Sequence, residues 1–522
     1  MRPPNHTNTS VSPQQFPSFG KWPSMERNTN SKTRAGIDPD LALSCASRVG
    51  IQDLVSKLID EGALVNQDPE SASRNIEEYM SPVTAAAASG HAVIVQQLIA
   101  KGAELETSTL LSATRNGHGQ IAELLLQEKA YDMETISKAL ISAVEGGHMS
   151  ITKLLLDYGA DIEIDDYWHS RPLHTAAHNG NLEMLKLLLD RGADINSAGG
   201  NRGSGIRGSA IQDAAYRGDM RMVQYLTERG AEIDMYGFGL PNALQNAARK
   251  GHITLCKFLL SAGAELESDG GHGSALQSAI AGHRPDIVLL LLEHGANLGL
   301  DSEVRDRKTE PLPSPLLHAA MEGHMGIVKL LLEHGADVNA LSWSWGSSNL
   351  PLHNAAGKGD IEILQTLLKH GANVDAQTED GGSATHSAAR NGQHEALSLL
   401  LFDYHANPSL SLVNGSLALH SAASHGYPKC IELCLKAGID VNARNNSGRT
   451  ALHWAAEEGH HSAVQLLLDR GADSGVKEIG TNMTALDIAG QKAWEQPKNK
   501  SRQDLVRILK GEAGRSNSLR SD

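Results

Sequence analysis

The chain has 522 residues, a formal net charge of −15 and an aromatic fraction of only 4%. So few aromatic residues are unusual for a globular enzyme and natural for helices that pack through leucine and alanine. The acidic balance argues against broad binding to DNA or RNA, which requires a basic footprint. No apolar run of about 18 residues occurs, so we expect no membrane span. No apolar segment follows the N-terminus, so we expect no signal peptide.

The first forty residues are rich in Pro, Asn, Ser and Thr and poor in apolar residues. We therefore predict that residues 1–40 form a disordered, basic tail. Residues 1–36 hold five Lys or Arg against one Glu, and residues 491–522 hold eight against four acids. Since each end carries a net +4, the residues between them carry −23. We interpret most of that charge as solvated helix surface.

From about residue 41 onward, one short unit recurs with variations, as in residues 315–339. Each copy holds a turn glycine, usually followed by His, and a Gly-Ala pair about twelve residues later, as at Gly323 and Gly335. Undisturbed neighbours lie 33 residues apart, as Gly147 and Gly180 do. Apolar residues between the two glycines recur at helical spacing, and a shorter helix precedes the first glycine. A polar, extended turn follows each Gly-Ala pair and predicts a short hairpin.

One such unit cannot bury its own apolar stripe, so it must stack on copies of itself. The predicted fold is an all-α repeat solenoid of helix-turn-helix units with short β-hairpin fingers. We place this array at residues 41–513, with a flexible tail at 514–522. The first and last copies depart from the pattern, which suits caps that face water.

The residues that carry a resemblance are Thr450–His460 (TALHWAAEEGH) and Leu466–Asp473 (LLLDRGAD). They resemble an ankyrin repeat, and the pattern continues through about 13–14 copies. The resemblance implies a protein that binds partners through its hairpin tips and first helices, with the two residues before each turn glycine prominent. The long, ankyrin-only design also resembles arrays common in filamentous fungi, which include scaffolds and accessory regulators.

The chain contains 24 histidines, which raises the question of a metal site. Fourteen of them occupy three slots of the repeat: after the turn glycine, within the first helix, or before the second glycine. A residue repeated once per copy is most simply a structural hydrogen-bonding group. In three consecutive copies Gln replaces the first-helix His, at Gln212, Gln245 and Gln277. Metal binding by His420 with His425, or by His460 with His461, remains the alternative.

Cys256, Cys430 and Cys434 occupy apolar slots of the second helix, so we interpret them as core residues of a reduced, intracellular protein. A metal or redox pair formed by Cys430 and Cys434 is the alternative. The sequence has no Gly-rich phosphate loop, no Gly-x-Ser-x-Gly and no His-Glu-x-x-His. We therefore predict no enzymatic activity, no cofactor and no metal.

Function is most readily sought where copies depart from the repeat. Basic and aromatic residues collect in two adjacent copies, before two turn glycines and in the neighbouring hairpins. The candidate partner-binding residues there are Arg202, Arg207, Tyr216, Arg217, Tyr236, Phe238, Arg249 and Lys250. Arg and Tyr are typical interface anchors. The alternative is that these are ordinary variable surface residues.

A second set of departures is aromatic. Two lie in one hairpin tip, two in another, and one in a first helix: Tyr167, Trp168, Trp343, Trp345 and Trp454. Exposed Trp suggests a binding role. The alternative is that these rings fold over a neighbouring hairpin.

Three further departures concern the backbone. The charged insertion 301–313 is interpreted as a tolerated spacer rather than as a partner-specific loop, because loop insertions cost little free energy. His283 and His405 take glycine slots, which predicts local distortion of the stack at both places. Residues 103–147 have shortened hairpins, which predicts a poorer finger wall there.

The leading interpretation is a non-enzymatic scaffold or adaptor that binds a partner protein along its concave surface. Alternatives are an ankyrin-repeat transcription coregulator that acts with a transcription factor, and, in a different class, an enzyme or metal-binding protein. We expect a monomer that contacts neither nucleic acid nor membranes directly, in the cytoplasm, the nucleus or both.

Overall fold

The computed structural model describes residues 39–66, 80–165, 171–198, 208–235, 241–268, 273–299, 313–344, 347–496 and 499–511. In that part of the chain, 28 α-helices follow one another as fourteen pairs, which confirms the predicted all-α repeat architecture. The chain divides into two compact units, Met1–Tyr131 and Asp132–Asp522. The predicted tails lie outside the described residues, except that the first helix already begins at Pro39.

The first unit contains three helix pairs among its described residues. They are α1 (Pro39–Val49) and α2 (Gln52–Asp60), α3 (Pro82–Ser89) and α4 (Ala92–Ala100), and α5 (Thr107–Arg115) and α6 (Gly119–Glu128).

The second unit contains eleven pairs among its described residues. The first six pairs are α7 (Met133–Glu145) and α8 (Met149–Asp157), α9 (Pro172–Asn179) and α10 (Leu182–Asp190), α11 (Ala210–Arg217) and α12 (Met220–Glu228), α13 (Ala243–Lys250) and α14 (Ile253–Ser261), α15 (Ala275–Ala281) and α16 (Pro285–Glu293), and α17 (Pro315–Glu322) and α18 (Met325–Glu333). The last five are α19 (Pro351–Lys358) and α20 (Ile361–Lys369), α21 (Ala384–Arg390) and α22 (His394–Ser398), α23 (Ala418–Ser424) and α24 (Pro428–Lys436), α25 (Ala451–Glu458) and α26 (His461–Asp469), and α27 (Ala485–Glu495) and α28 (Lys500–Leu509).

The first helix of each pair begins and ends at residues suited to those positions. In α13, Asn242 accepts a hydrogen bond from the backbone of Gln245, and the Gln245 side chain accepts one from the Asn242 amide. This reciprocal capping box satisfies amides that have no partner within the helix. Gly251 ends the helix with φ of +91°, a conformation that costs glycine little.

Small residues let successive first helices approach closely. Ala214 and Ala215 on α11, and Ala247 and Ala248 on α13, are all fully buried, and these two helices contact each other. The second helices supply the larger apolar side chains, such as Leu259, which is also fully buried. Truncating such a leucine to alanine costs about 2–5 kcal/mol. Within each unit, the core is therefore a series of thin layers, each shared by neighbouring helix pairs.

The predicted fingers are hairpin turns, and only one of those described forms a regular strand pair. Strand β1 (Ser342–Ser344) pairs antiparallel with β2 (Ser347–Asn349). Elsewhere a turn closes the finger with few backbone bonds, as where the amide of Thr378 donates to the carbonyl of Gly382 at 2.8 Å. In the first unit, only residues 101–106 separate α4 from α5, so the hairpin there is short, as expected.

A predicted distortion is present near His405, whereas at His283 the backbone keeps the left-handed conformation of the turn glycines. His283 and His405 have positive φ, at 56° and 54°. Before His405, the extra residue is absorbed by a π-helical turn, Leu399–Asp403, which follows α22 directly. None of the described helices is both long and apolar enough to cross a membrane.

Candidate functional site

The fingers of the last copies join one another into a wall. Three backbone hydrogen bonds link successive tips: the amides of Val413, Asn446 and Ile479 donate to the carbonyls of Asp380, Asn414 and Ser447 at 2.9, 2.9 and 2.8 Å. Because each tip is bonded to the next, the fingers form a fixed surface opposite the first helices.

A groove of about 810 Å³ lies between this finger wall and the first helices α19, α21, α23 and α25. Ser387 and Ser421 occupy the same helix slot in successive copies, and both line the groove. Their small side chains leave space there, whereas Trp454 takes the same slot in the next copy. Asp380 and Arg390 also line the groove, so its surface is polar and of mixed charge.

Trp454 is the most distinctive residue of the groove. The guanidinium of Arg449 lies 5.1 Å from the centroid of its ring. Arg449 is held in turn by Glu457, at 2.6 Å, and by Glu478. The indole Nε1 of Trp454 is buried and has no hydrogen-bond partner among the described residues. An unsatisfied buried donor costs about 1–3 kcal/mol.

Four of the five first-helix histidines donate structural hydrogen bonds, as predicted, whereas Nε2 of the fifth, His453, has no partner among the described residues. The Nε2 atoms of those four donate to finger carbonyls: His174 to Ser197 at 2.9 Å, His353 to Ala376 at 2.9 Å, His386 to Ser416 at 3.1 Å and His420 to Ala443 at 3.1 Å. Burial lowers the pKa of His353 to about 4, so its ring is neutral at pH 7.

The three glutamines in that slot make the equivalent pair of bonds. Their Nε2 groups donate to finger carbonyls, at 2.7 Å for Gln212, 2.6 Å for Gln245 and 2.9 Å for Gln277. Their Oε1 atoms accept from the residue that caps the same helix, just as Nδ1 of His420 accepts from the amide of Leu417 at 3.0 Å. The exchange of His for Gln therefore preserves the contact.

Histidines after the turn glycine join neighbouring copies. Their Nε2 atoms donate to the carbonyl two residues before the preceding turn glycine: His91 to Arg48 at 3.1 Å, His118 to Ala88 at 3.1 Å, His252 to Tyr216 at 3.3 Å and His460 to Ser424 at 3.1 Å. Each ring lies directly over that glycine, where a Cβ atom at Gly218 would meet the His252 ring at 2.6 Å. We call this contact the turn staple.

Histidines before the second glycine bond within their own helix. Nδ1 of His294 donates to the carbonyl four residues earlier at 2.8 Å, and His334 does the same at 2.8 Å. Cys256, Cys430 and Cys434 are fully buried, and burial raises the pKa of the Cys256 thiol to about 12. Among the described residues, no group of three or more His, Cys, Asp or Glu side chains is arranged to hold a metal ion.

Four basic side chains lie at the ends of successive first helices, and we call them the basic row: Arg217, Arg249, Lys250 and Arg284. Two of them form turn staples in place of His. Nη1 of Arg217 donates to the carbonyl of His178 at 2.7 Å, and Nε of Arg284 donates to the carbonyl of Arg249 at 3.4 Å. Because these bonds connect corresponding helix ends, the four residues follow one another along the stack.

Tyr216 belongs to the same surface. Its side chain is 50% exposed, and Nζ of Lys250 lies 4.0 Å from the centroid of its ring. None of the four cations of the basic row pairs with a carboxylate among the described residues, whereas Arg229 on a second helix pairs with Asp190 at 3.1 Å. The structure thus brings Tyr216, Arg249 and Lys250 together as a solvent-facing basic and aromatic surface.

A family model described as ankyrin repeats (3 copies) matches the chain six times, over residues 41–137, 110–198, 211–302, 299–378, 316–411 and 385–478. Together these matches cover well over half of the sequence. The chain belongs to the ankyrin repeat family. Ankyrin repeats are modules for protein–protein interaction, and in this ankyrin array the groove and the basic row lie on the fingers and first helices. No curated protein matches the sequence.

Several residues predicted to bind partners lie outside the described part of the ankyrin array: Tyr167, Trp168, Arg202, Arg207, Tyr236, Phe238 and Trp345. Trp343 lies in β1, where its backbone is paired with Ser348. The insertion 301–313 also lies outside the described residues, except for Pro313.

Sequence reasoning missed three features. Arg284 completes the basic row. The sequence signal for it was a cation two residues after a displaced turn glycine. The groove itself could have been inferred from Ser387 and Ser421 preceding Trp454 in one repeat slot. Trp494, whose side chain is 82% exposed, lies near the end of α27, and the repeat pattern gives no signal for it.

Proposed function

We propose that this protein is a non-enzymatic scaffold or adaptor that binds a partner protein on the side where its fingers meet its first helices. The observation that carries the proposal is the polar groove between α19 and α25, which Trp454 lines. A fixed finger wall, a concave surface and an aromatic anchor are features of protein interfaces.

The groove chemistry supports a peptide-like partner. Its lining presents hydroxyl, amide, carboxylate and guanidinium groups from Ser421, Asn414, Asp380 and Arg390, with few apolar side chains. Such a surface complements the alternating donors and acceptors of a polypeptide backbone. Tryptophan at a site with surrounding polar groups is the residue type most often found as an energetic anchor of such contacts.

The test compares two tryptophans of the same chain. Trp454→Ser installs the residue that the two preceding copies carry in this slot, so the helix is expected to remain intact. Partners are recovered by affinity purification with the full chain, and the affinity of the best-recovered partner is then measured. We expect Trp454→Ser to weaken that affinity at least about tenfold.

The matched control is Trp494→Ser, which removes an exposed tryptophan outside the groove. We expect it to retain the partner with affinity within about twofold of the original chain, as surface changes away from an interface usually do. Equal affinity of the original chain and Trp454→Ser, with circular dichroism unchanged, contradicts the groove as the binding site.

A narrower form of the proposal makes the protein a transcription coregulator. That form requires the chain to enter the nucleus and to bring down a transcription factor among its partners. Exclusion of a tagged chain from the nucleus under every growth condition contradicts the narrower form and leaves the scaffold proposal in place.

A further inference from the structure

We infer that the basic row binds a short acidic segment of a partner protein, in polyproline II conformation and with carboxylates about three residues apart. This inference deepens the proposed function and rests on it in one respect, namely that the finger side binds proteins. It assigns an acidic ligand to Arg217, Arg249, Lys250 and Arg284, which differs from the ligand proposed for the groove.

The turn staple does not require arginine or lysine, so it does not account for the positive charge of the basic row. Histidines form the same bond at three copies outside the row, for example between His91 and the carbonyl of Arg48. Lys358 and Arg502 also form turn staples elsewhere, to the carbonyls of Met321 and Glu457. The basic row combines two charged staples, from Arg217 and Arg284, with two further cations, Arg249 and Lys250. Among the described residues, no other place has this combination without ion pairs.

The row has definite ends. Past Arg284, the next first helix ends in Glu322, and before Arg217 the residues His178 and Glu145 occupy the corresponding region of α9 and α7. The nearest acid on the same helix is Asp213, which lies 4.0 Å from His178. The charged groups lie over the ends of three successive first helices: the guanidinium of Arg217 over Gly180 after α9, the ammonium of Lys250 over Tyr216 on α11, and the guanidinium of Arg284 over Gly251 after α13.

The spacing of these helices sets the spacing of a ligand. Helices α9 and α11 pack on each other, as do α11 and α13. Packed helices lie about 8–10 Å apart, so three helix ends span about 16–20 Å. A chain in the polyproline II conformation advances about 3.1 Å per residue and makes one turn in three residues, so every third side chain faces the same side, about one helix spacing further on. Carboxylates at every third position can then meet one helix end each.

The charge of the remaining chain favours a short protein segment over a nucleic acid. Residues 37–490 carry a net charge of −23, so a long polyanion is repelled wherever it extends past the row. A segment of about seven residues is covered by the row alone. The aromatic contact between Lys250 and Tyr216 holds one ammonium in place, which lowers the entropy lost when a carboxylate binds.

The experiment measures fluorescence anisotropy of the full chain with labelled nine-residue peptides. One peptide has Glu at positions one, four and seven, the second has Gln there, and the third has three consecutive Glu. We expect the spaced Glu peptide to bind at least about tenfold more tightly than the Gln peptide at 50 mM salt, and more weakly as salt rises. Equal binding of the Glu and Gln peptides overturns the inference. Equal binding of the spaced and consecutive Glu peptides overturns the three-residue spacing.

The variant is Arg249→Glu/Lys250→Glu, whose side chains are exposed and form no turn staple. The control is Arg221→Glu/Lys257→Glu, which makes the same charge change on the second helices α12 and α14. We expect the first variant to lose at least about tenfold in affinity and the control to lose less than about threefold. Equal losses in the two variants overturn the assignment to the basic row. Arg249→Gln/Lys250→Gln provides a milder variant and is expected to give an intermediate loss.

Two other ligands serve as outcomes of the test. A single-stranded oligonucleotide that binds this row more tightly than the spaced Glu peptide overturns the inference, as does a phosphoserine peptide that binds when the Glu peptide does not. If partners are captured but no peptide shows an acidic preference, the proposed function stands and this inference falls. If the Glu peptide binds the row but no partner is captured, the proposed function falls instead.

Discussion

At the residue scale, hydrogen bonds repeated from copy to copy explain much of the histidine content. The turn-staple histidines and four of the first-helix histidines each donate a hydrogen bond to a backbone carbonyl, as His252 does to Tyr216. The sequence predicted this role from repetition alone, and Gln212, Gln245 and Gln277 identified it as hydrogen bonding. The sequence did not predict that each ring lies over a glycine, because that contact joins residues of different copies.

The turn staple gives a prediction at Gly218. Its φ is +78°, and a Cβ atom there would meet the His252 ring at 2.6 Å. Gly218→Ala is expected to cost about 1–2 kcal/mol for the left-handed backbone, and about 1 kcal/mol more because the ring must leave its hydrogen bond. Urea unfolding of the full chain measures the loss.

The matched control for this substitution is Gly230→Ala. Gly230 has φ of +88° and no atom within 4 Å of the Cβ position, so only the backbone cost applies. Adding His252→Ala to Gly218→Ala is expected to cost less than the two single changes summed. Equal destabilisation by Gly218→Ala and Gly230→Ala contradicts the packing of the ring on the glycine.

His353 gives a prediction about pH. Its folded-state pKa is lowered to about 4 by burial, below the ordinary value of 6.5. Above pH 6.5 the ring is neutral in both states. As pH falls from 6.5 to 4, the unfolded chain takes up a proton that the folded chain refuses, so stability falls, by up to about 3 kcal/mol.

His353→Gln removes that titration and keeps the hydrogen bond to the carbonyl of Ala376, as the three natural glutamines do for their own carbonyls. We expect the variant to lose less stability than the original chain between pH 7 and pH 4.5, measured as the midpoint of urea unfolding. Parallel loss of stability in both chains contradicts a neutral, buried His353.

At the element scale, the helix pattern was predictable and its exceptions only partly so. The apolar spacing and the turn glycines predicted the helix pairs because both signals are local. The sequence also located the extra residue near Phe402, but not the form it takes. A π-helical turn at Leu399–Asp403 keeps the following residues in register, and this depends on packing against neighbouring copies.

A strained residue, His405, follows the π-helical turn and gives a third prediction. His405 is exposed and has φ of 54° in a slot where other copies have glycine. His405→Gly is expected to stabilise the chain by about 1 kcal/mol, because the left-handed conformation no longer clashes with a Cβ atom. The reciprocal change Gly371→His, at the same slot of the preceding copy, is expected to destabilise by a similar amount. A stability loss with His405→Gly contradicts this account.

At the scale of the whole molecule, the repeats in the sequence were enough to predict the architecture. The candidate binding surfaces could be predicted only in part. Trp454 and the pairs before Gly218 and Gly251 were identified because they differ from their counterparts in other copies. The depth of the groove was not, because it depends on side-chain size at Ser387 and Ser421, which are adjacent only after folding.

The stack also predicts a role for its last helix pair. Helices α27 and α28 pack against α25 and α26, and Leu505 on α28 is fully buried. Deleting residues 485–522 is expected to expose the apolar faces of α25 and α26, lower the thermal midpoint and cause association. Light scattering after size-exclusion chromatography measures association. Deleting residues 512–522 alone is the control and is expected to change neither property.

The most direct test of a binding surface formed by fingers and first helices is hydrogen exchange of the full chain with and without its purified partner. We expect the partner to slow exchange at the fingers around Asp380, Asn414 and Asn446 and at the adjoining ends of the first helices. The second helices are expected to be unchanged. Protection confined to second helices such as α20 and α24, with the fingers unaffected, contradicts the proposed binding surface.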